Sequence, residues 1–505
     1  MISSLIRIIV ITSLFLMHVS CIDKDLYEGE QDKEQVPDSD SEPEPEPEPV
    51  GGYENYLYPY DIEAHDIVAE ISMVLNDTPV LSEMNTEIPV LKYNKSWLFM
   101  LTQDDCDHTT YSTTWAAING RPLSNNHYYN AEQLAMGDLP PDIYTLKQGN
   151  SNEIVTLGST DGAGNEVRFA FTATVRAEEP WMDRKPVIQK GFTDNFYRFN
   201  KYSGLTWNNV AEMLAYDTGI AFHDFKTQAD EQIDSLLEHF EIAQKITNEK
   251  LSGRGLKVLA EPDGNHNYLL AGMKYDPIRI MTAQHTKAGG PDVERYYPFK
   301  IESDLEKQVL LRTFYNHPTE ISSHIENELK KKREDREAIH VGMHAAGPPF
   351  AEFLFWLNNN YGKDGDDSVW FPSFEEFYEY NYYRVNSTIE HEKIGNTLKL
   401  RIALPSEQYF YYPSVTVNLS GIAYENIKEI SSNDVVTGFS FAPYNGGVML
   451  NIDCRRFLND HAEHFVEKYL HSQTESNRLD AIYFVEKLKE SAKKEELRKR
   501  IPGYN

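Results

Sequence analysis

The run Ser96-Trp97-Leu98-Phe99-Met100-Leu101-Thr102 is apolar from end to end between small polar residues. An uninterrupted run of this length suits a strand buried on both faces, as in a parallel sheet or barrel. It delivers Gln103-Asp104-Asp105-Cys106 at its C-terminal end. From about residue 190 the pattern alternates. Thr206 to Ala215 reads as a helix, and Gly219 to Phe222 as a short strand ending at His223-Asp224. Gln228 to Leu251 carries Ile233, Leu236, Leu237, Phe240, Ile246 and Leu251 near the helical period. Leu256 to Leu259 predicts a strand that leads into Glu261-Pro262-Asp263-Gly264-Asn265-His266, and Ile278 to Met281 predicts another. A helix over Glu320 to Glu334 precedes a strand, Ile339 to Met343, that ends at His344. Helix starts at Phe353 and Ser373 flank a short strand at Val369-Trp370-Phe371.

Alternation of this kind predicts an α/β fold built on a parallel sheet or distorted (β/α) barrel, with its chemistry at the C-terminal ends of the strands. Those ends carry Asp104, Asp105, His223, the 261–266 loop and His344. Residues 110–185 read as an insertion: the turn Asp161-Gly162-Ala163-Gly164 precedes a period-two strand from Val167 to Val175, which predicts a β-hairpin. Before the first strand, Ile62 to Leu75 reads as helix-like. After Arg384 the alternation stops. Leu398–Leu404, Ser414–Leu419 and Gly447–Ile452 predict a small C-terminal β domain, and helical segments follow from Arg455. The expected organisation is a leader at 1–20, a tether at 21–52, a barrel at 53–384, a β domain at 385–454 and a helical segment at 455–505.

Composition narrows the function. The 505 residues hold 79 acidic and 48 basic side chains, a net charge of −31. Phosphate backbones need a basic surface, so this balance argues against a nucleic-acid partner. Three cysteines, Cys21, Cys106 and Cys454, cannot build a disulfide scaffold. Acidic neighbours argue against Cys106 as a thiolate nucleophile.

At the N-terminus, Arg7 precedes a ten-residue apolar run, Ile8 to Met17, too short to span a bilayer as a helix. His18-Val19-Ser20-Cys21 then resembles a bacterial lipoprotein cleavage site, in which Cys21 would be lipidated. His18 departs from the aliphatic residue usual there. The acidic start after Cys21 resembles the surface-export signal of Bacteroidetes lipoproteins, and the Pro-Glu repeat from Ser41 to Val50 reads as an extended, solvated tether. The expected location is the bacterial outer membrane, lipid-anchored and surface-exposed, with a periplasm-facing anchor as the alternative.

Asp104 and Asp105 are adjacent carboxylates, so ionising both calls for a cation or another partner nearby. The order Thr102-Gln103-Asp104-Asp105, Gly219-Ile220-Ala221-Phe222-His223, Pro262-Asp263-Gly264 and His340-Val341-Gly342-Met343-His344 resembles the polysaccharide deacetylases, the NodB-homology domain of carbohydrate esterase family four, over roughly residues 92–384. The resemblance implies a distorted (β/α) barrel that hydrolyses N- or O-acetyl groups from a glycan. It makes Asp104 the general base, Asp105 and His223 metal ligands, and His344 the general acid. The implied cofactor is a divalent metal, zinc or else cobalt, nickel or iron.

The chain departs from the family at three points. A second histidine usually follows the first by four residues, and Thr227 stands there. The arginine that usually orients the catalytic aspartate is replaced by Ala260, and no Asp-Trp motif is evident around 282–300. Asp224, Glu261, His266, His285 or His108 could supply a third ligand. A deacetylase-like lipoprotein that binds glycan without hydrolysing it is the alternative function.

Overall fold

The computed structural model describes residues 56–60, 63–149, 153–189, 196–200, 203–226, 232–300 and 303–504. The leader, Cys21, the Pro-Glu repeat and Thr227 lie outside the described residues. From Gly52 onward the chain forms a single structural unit.

Nineteen strands are described. The first two, β1 (Ile67–Leu75) and β2 (Asn85–Glu87), precede β3 (Trp97–Gln103), the predicted buried strand, whose seven residues are all buried. The hairpin β4 (Gly158–Thr160) and β5 (Glu166–Arg168) precedes β6 (Thr172–Val175). Then come β7 (Gly219–Phe222), β8 (Val258–Ala260), β9 (Ile280–Ala283), β10 (Val309–Leu311), β11 (Thr313–Phe314), β12 (Ile339–Met343) and β13 (Val369–Trp370). The last six are β14 (Thr388–Ile394), β15 (Thr397–Leu404), β16 (Ser414–Ser420), β17 (Ile427–Ser432), β18 (Gly438–Tyr444) and β19 (Gly447–Asp453).

Eight of these strands form one parallel sheet in the order β10-β9-β8-β7-β6-β3-β12-β11, with β13 pairing the start of β3. The two terminal strands of that order, β10 and β11, are separated in the chain by a single residue, Arg312. One short extended segment therefore pairs first with β9 and then with β12, which nearly closes the sheet into the expected (β/α) barrel. Helices Trp207–Leu214, Ile233–Lys250, His266–Lys274, Pro318–Leu329, Pro348–Tyr361 and Phe374–Asn386 connect the strands. Their starts have local causes. Thr206 and Ser373 cap with side-chain oxygens, and Pro318 and Pro348 open helices where a missing N–H costs nothing.

Three expectations are corrected. The helix-like run from Ile62 to Leu75 contains β1: Ala69, Ile71, Met73 and Leu75 are buried in alternation, and β1 pairs on both sides, with β15 and β17. The single strand expected over Val167 to Val175 is two. Its first part is hairpin strand β5, and its second, β6, enters the barrel between β3 and β7, so the region read as an insertion supplies a barrel strand. Finally, β1 and β2, placed with the barrel by sequence position, complete the C-terminal sheets β14-β15-β1-β17 and β18-β19-β16-β2. The β domain gains two strands from before the barrel because its own strands leave hydrogen-bonding edges that these segments satisfy.

The terminal helices Leu458–His471 and Glu475–Glu486 pack into the main core through Leu458, Phe465 and Phe484. Asp480, fully buried on the second of them, accepts from Arg121 and, at 2.6 Å, from Arg168. At the N-terminal end of the barrel strands, Lys257 bridges Glu375 at 3.0 Å and Glu379 at 2.9 Å. Glu379 in turn accepts the N–H groups of Tyr411 and Tyr412, which ties the β domain to the barrel base.

Candidate active site

Strand β3 ends in a sharp change of backbone direction. Asp105 and Cys106 take left-handed conformations, φ 62° and 54°, immediately after Asp104. Two consecutive non-glycine residues in this region carry strain, which is found disproportionately where a side chain must be aimed. Asp104 stays buried and its N–H donates to the Met343 carbonyl at 2.7 Å, while the Asp105 side chain is about half exposed at 52%. Burial pushes the neighbouring Cys106 thiol up to about 12, so it stays protonated.

Asp105 is the meeting point of three strand ends. Its Oδ1 lies 3.6 Å from His223 Nε2, after β7, and its Oδ2 lies 4.0 Å from His344 Nε2, after β12. The His223 ion pair, reinforced by the His344 side, lowers the Asp105 pKa to about 2 against the opposing effect of burial. His223 is buried, which favours its neutral form, but the Asp104 charge and the Asp105 contact outweigh burial and raise its pKa. His223 Nδ1 lies 2.9 Å from the Ala260 carbonyl, an acceptor only, so Nδ1 carries a proton and Nε2 is the nitrogen turned to Asp105.

Asp104 is oriented by a residue the motif reading did not find. Arg312, fully buried between β10 and β11, donates from Nη1 to Asp104 Oδ1 at 2.5 Å and from Nη2 to the Glu261 carbonyl at 2.5 Å. With Ala260 where the resemblance expects an arginine, the arginine that contacts Asp104 comes instead from the seam of the barrel. The Phe314 ring, two residues on, lies 5.3 Å from the Arg312 guanidinium and 5.0 Å from the His344 ring. A signal for Arg312 does exist in the sequence. It is a single charge between Val309-Leu310-Leu311 and Phe314, and such a charge inside a buried strand needs a partner.

The other candidates are engaged elsewhere. Asp224 pairs with Arg176 and lies 3.5 Å from the Tyr268 hydroxyl. Glu261, fully buried, bonds His266 Nδ1; Glu261 Oε2 and His266 Nε2 meet no hydrogen-bond partner among the described residues. The His285 ring lies 5.6 Å from that of His266. His108 is a buried structural histidine, bonded to Asn130 at 2.8 Å and Ser112 at 3.2 Å, and burial lowers its pKa to about 4.

The Asp105–His223 pair can be tested against a divalent ion. Two donors about 2.0–2.1 Å from one zinc at a tetrahedral angle lie about 3.3 Å apart. The observed 3.6 Å, with the His223 tautomer fixed by a backbone carbonyl, suits two ligands of one ion. Among the described residues no group of three or more His, Cys, Asp or Glu side chains is arranged to hold a metal. Two donors fit, and Asp224, Glu261 and His266 do not join them in such a group.

A protein-family model described as "Putative polysaccharide deacetylase" matches residues 69–502, which takes in the barrel, the β domain and the terminal helices. No curated protein matches the chain. With the family model spanning most of the sequence and the barrel carrying the strand-end aspartates and histidines, the chain belongs to this polysaccharide deacetylase family.

Proposed function

We propose that the protein hydrolyses N- or O-acetyl groups from a glycan. Family membership supports a hydrolase in general terms. The observation that carries the finer reading is the division of labour between adjacent carboxylates: Asp104 is buried and held by Arg312, while Asp105 opens toward His223 and His344. In this reading Asp104 accepts the proton of an attacking water, whose oxygen bonds to the acetyl carbon. Arg312 keeps that carboxylate fixed. His344, more than half exposed at 56%, gives its proton to the departing amine or alkoxide as the C–N or C–O bond breaks, releasing acetate. Asp105 and His223 would hold a divalent metal, zinc or else cobalt, nickel or iron, which when bound polarises the acetyl carbonyl and acidifies water.

The test is acetate release from acetylated amino-sugar and xylan oligomers, before and after chelation and after zinc is restored. The reading expects release that chelation abolishes and zinc recovers. A protein that binds one of these glycans but releases no acetate under any of these conditions is instead a glycan-binding member of the family. We further propose attachment to the outer membrane through a lipidated Cys21, with the acidic segment as a tether at the cell surface. Replacing Cys21 by Ser would then move the protein from the membrane fraction to the soluble fraction, and unchanged fractionation would contradict the anchor.

A further inference from the structure

Gln103 closes β3 beside Asp104 at a fully buried position, where the apolar run of that strand leads one to expect hydrocarbon. Its amide is used at both ends. Nε2 donates to Thr109 Oγ1 at 3.0 Å and to the His344 carbonyl at 3.1 Å, and Oε1 accepts from Thr114 Oγ1 at 2.8 Å. The Thr109 hydroxyl donates to the Asp107 carboxylate and accepts the Ala346 N–H at 2.7 Å. The loop bearing His344 is therefore tied at two backbone points, the carbonyl of His344 and the N–H two residues later. The His344 imidazole has little else to fix it: its side chain is 56% exposed, 4.0 Å from Asp105 and beside the Phe314 ring.

We propose that Gln103 and Thr109 are positioning residues for His344, setting where its imidazole stands relative to Asp105. The inference rests on the general-acid reading above for its kinetic consequence, but not for its geometry. The orientation of the Gln103 amide follows from its partners, because turning it over would set Oε1 against the His344 carbonyl, acceptor against acceptor. A hydrogen-bonded network of this kind specifies one loop position only while every member is satisfied.

The experiment compares the full chain with Thr109→Val, Thr109→Ser and Gln103→Glu on two substrates. An acetylated glycan has a leaving group that must be protonated, and 4-nitrophenyl acetate has one that departs without a proton. Thr109→Val and Gln103→Glu should lower kcat on the glycan about 10- to 100-fold, with KM changed little and aryl-ester hydrolysis largely retained. Thr109→Ser, which keeps the hydroxyl, should recover the glycan rate. Equal losses on both substrates, or no loss on the glycan, would overturn the proposal. The same proteins carrying ring-labelled histidine give a readout independent of turnover. The His344 Cε1–Hε1 cross-peak, assigned through His344→Gln, should move or broaden in Thr109→Val and Gln103→Glu and return in Thr109→Ser. A cross-peak unchanged in all variants would also overturn the proposal. If the cross-peak moves but the wild type hydrolyses neither substrate, positioning stands and the deacetylase reading fails.

Discussion

Arg312 holds Asp104 with one guanidinium nitrogen and the loop after β8 with the other, so its removal has two separable consequences. Arg312→Met leaves a buried carboxylate without its cation, which typically costs about 3–5 kcal/mol of stability; denaturant unfolding would measure it. Arg312→Lys keeps the charge but cannot span both acceptors in the same fork geometry. It should fold better than the Met variant yet still release acetate more slowly than wild type, and equal rates for Lys and wild type would show that the bidentate geometry is unnecessary. At this scale the sequence was legible where residue type and strand-end position coincide, as at Asp104, Asp105, His223 and His344. The lone charge of Arg312 signalled that it needs a partner but not which one, and nothing marked the role of Gln103, because the decisive contacts join residues far apart in sequence, 208 residues in the case of Arg312 and Asp104 and 241 in the case of Gln103 and His344.

Among the elements, the seam formed by β10, Arg312 and β11 joins fold to site. It nearly closes the sheet, buries Arg312, and sets Phe314 against both Gly342 and the His344 ring. A Cβ at Gly342 would stand 2.4 Å from Phe314 Cε2, an overlap that a packed ring must yield to. Gly342→Ala should therefore cost about 1–3 kcal/mol, the range for overpacking, and lower acetate release by displacing the ring beside His344; thermal unfolding and acetate assays would read the two effects. The seam escaped the pattern reading because strands of three and two residues carry almost no periodic signal. Longer barrel strands such as β3 and β12 were legible from burial on both faces alone. β1 was misread because Ile62 to Leu75 mixes apolar and polar residues without turn signals, and only its two antiparallel partners decide between strand and helix.

Over the whole molecule, barrel, β domain and terminal helices are joined by buried ion pairs. Asp480 pairs with Arg121 and Arg168 from a helix more than 300 residues away, so Asp480→Asn should leave the buried Arg121 guanidinium without a carboxylate and Arg168 with Glu166 alone, and destabilise by about 3–5 kcal/mol. A loss below about 1 kcal/mol in denaturant unfolding would show that this ion cluster adds little to the docking of the terminal helices. Buried histidines contribute to the acid response. Burial lowers the His108 pKa to about 4 and that of His340 to about 3, whereas an unfolded histidine titrates near 6.5. The unfolded chain therefore binds more protons below that value, and their contribution, complete above about pH 6.5, is lost as the pH falls toward 4 and 3. Each contributes a slope of at most about 1.4 kcal/mol per pH unit in that window. His340→Asn should flatten the fall in stability between pH 6 and 4, and an unchanged slope would contradict the assignment.

In the proposed reaction Asp104 takes the proton from water while Asp105 serves a different role beside His223. Acetate release by wild type, Asp104→Asn and Asp105→Asn, with glycan binding and bound metal measured on the same samples, tests it most directly. Asp104→Asn should lose about 10²–10⁴-fold in rate with glycan binding and metal content retained, and Asp105→Asn should lose both activity and metal. An Asp104→Asn protein that releases acetate at the wild-type rate would contradict it.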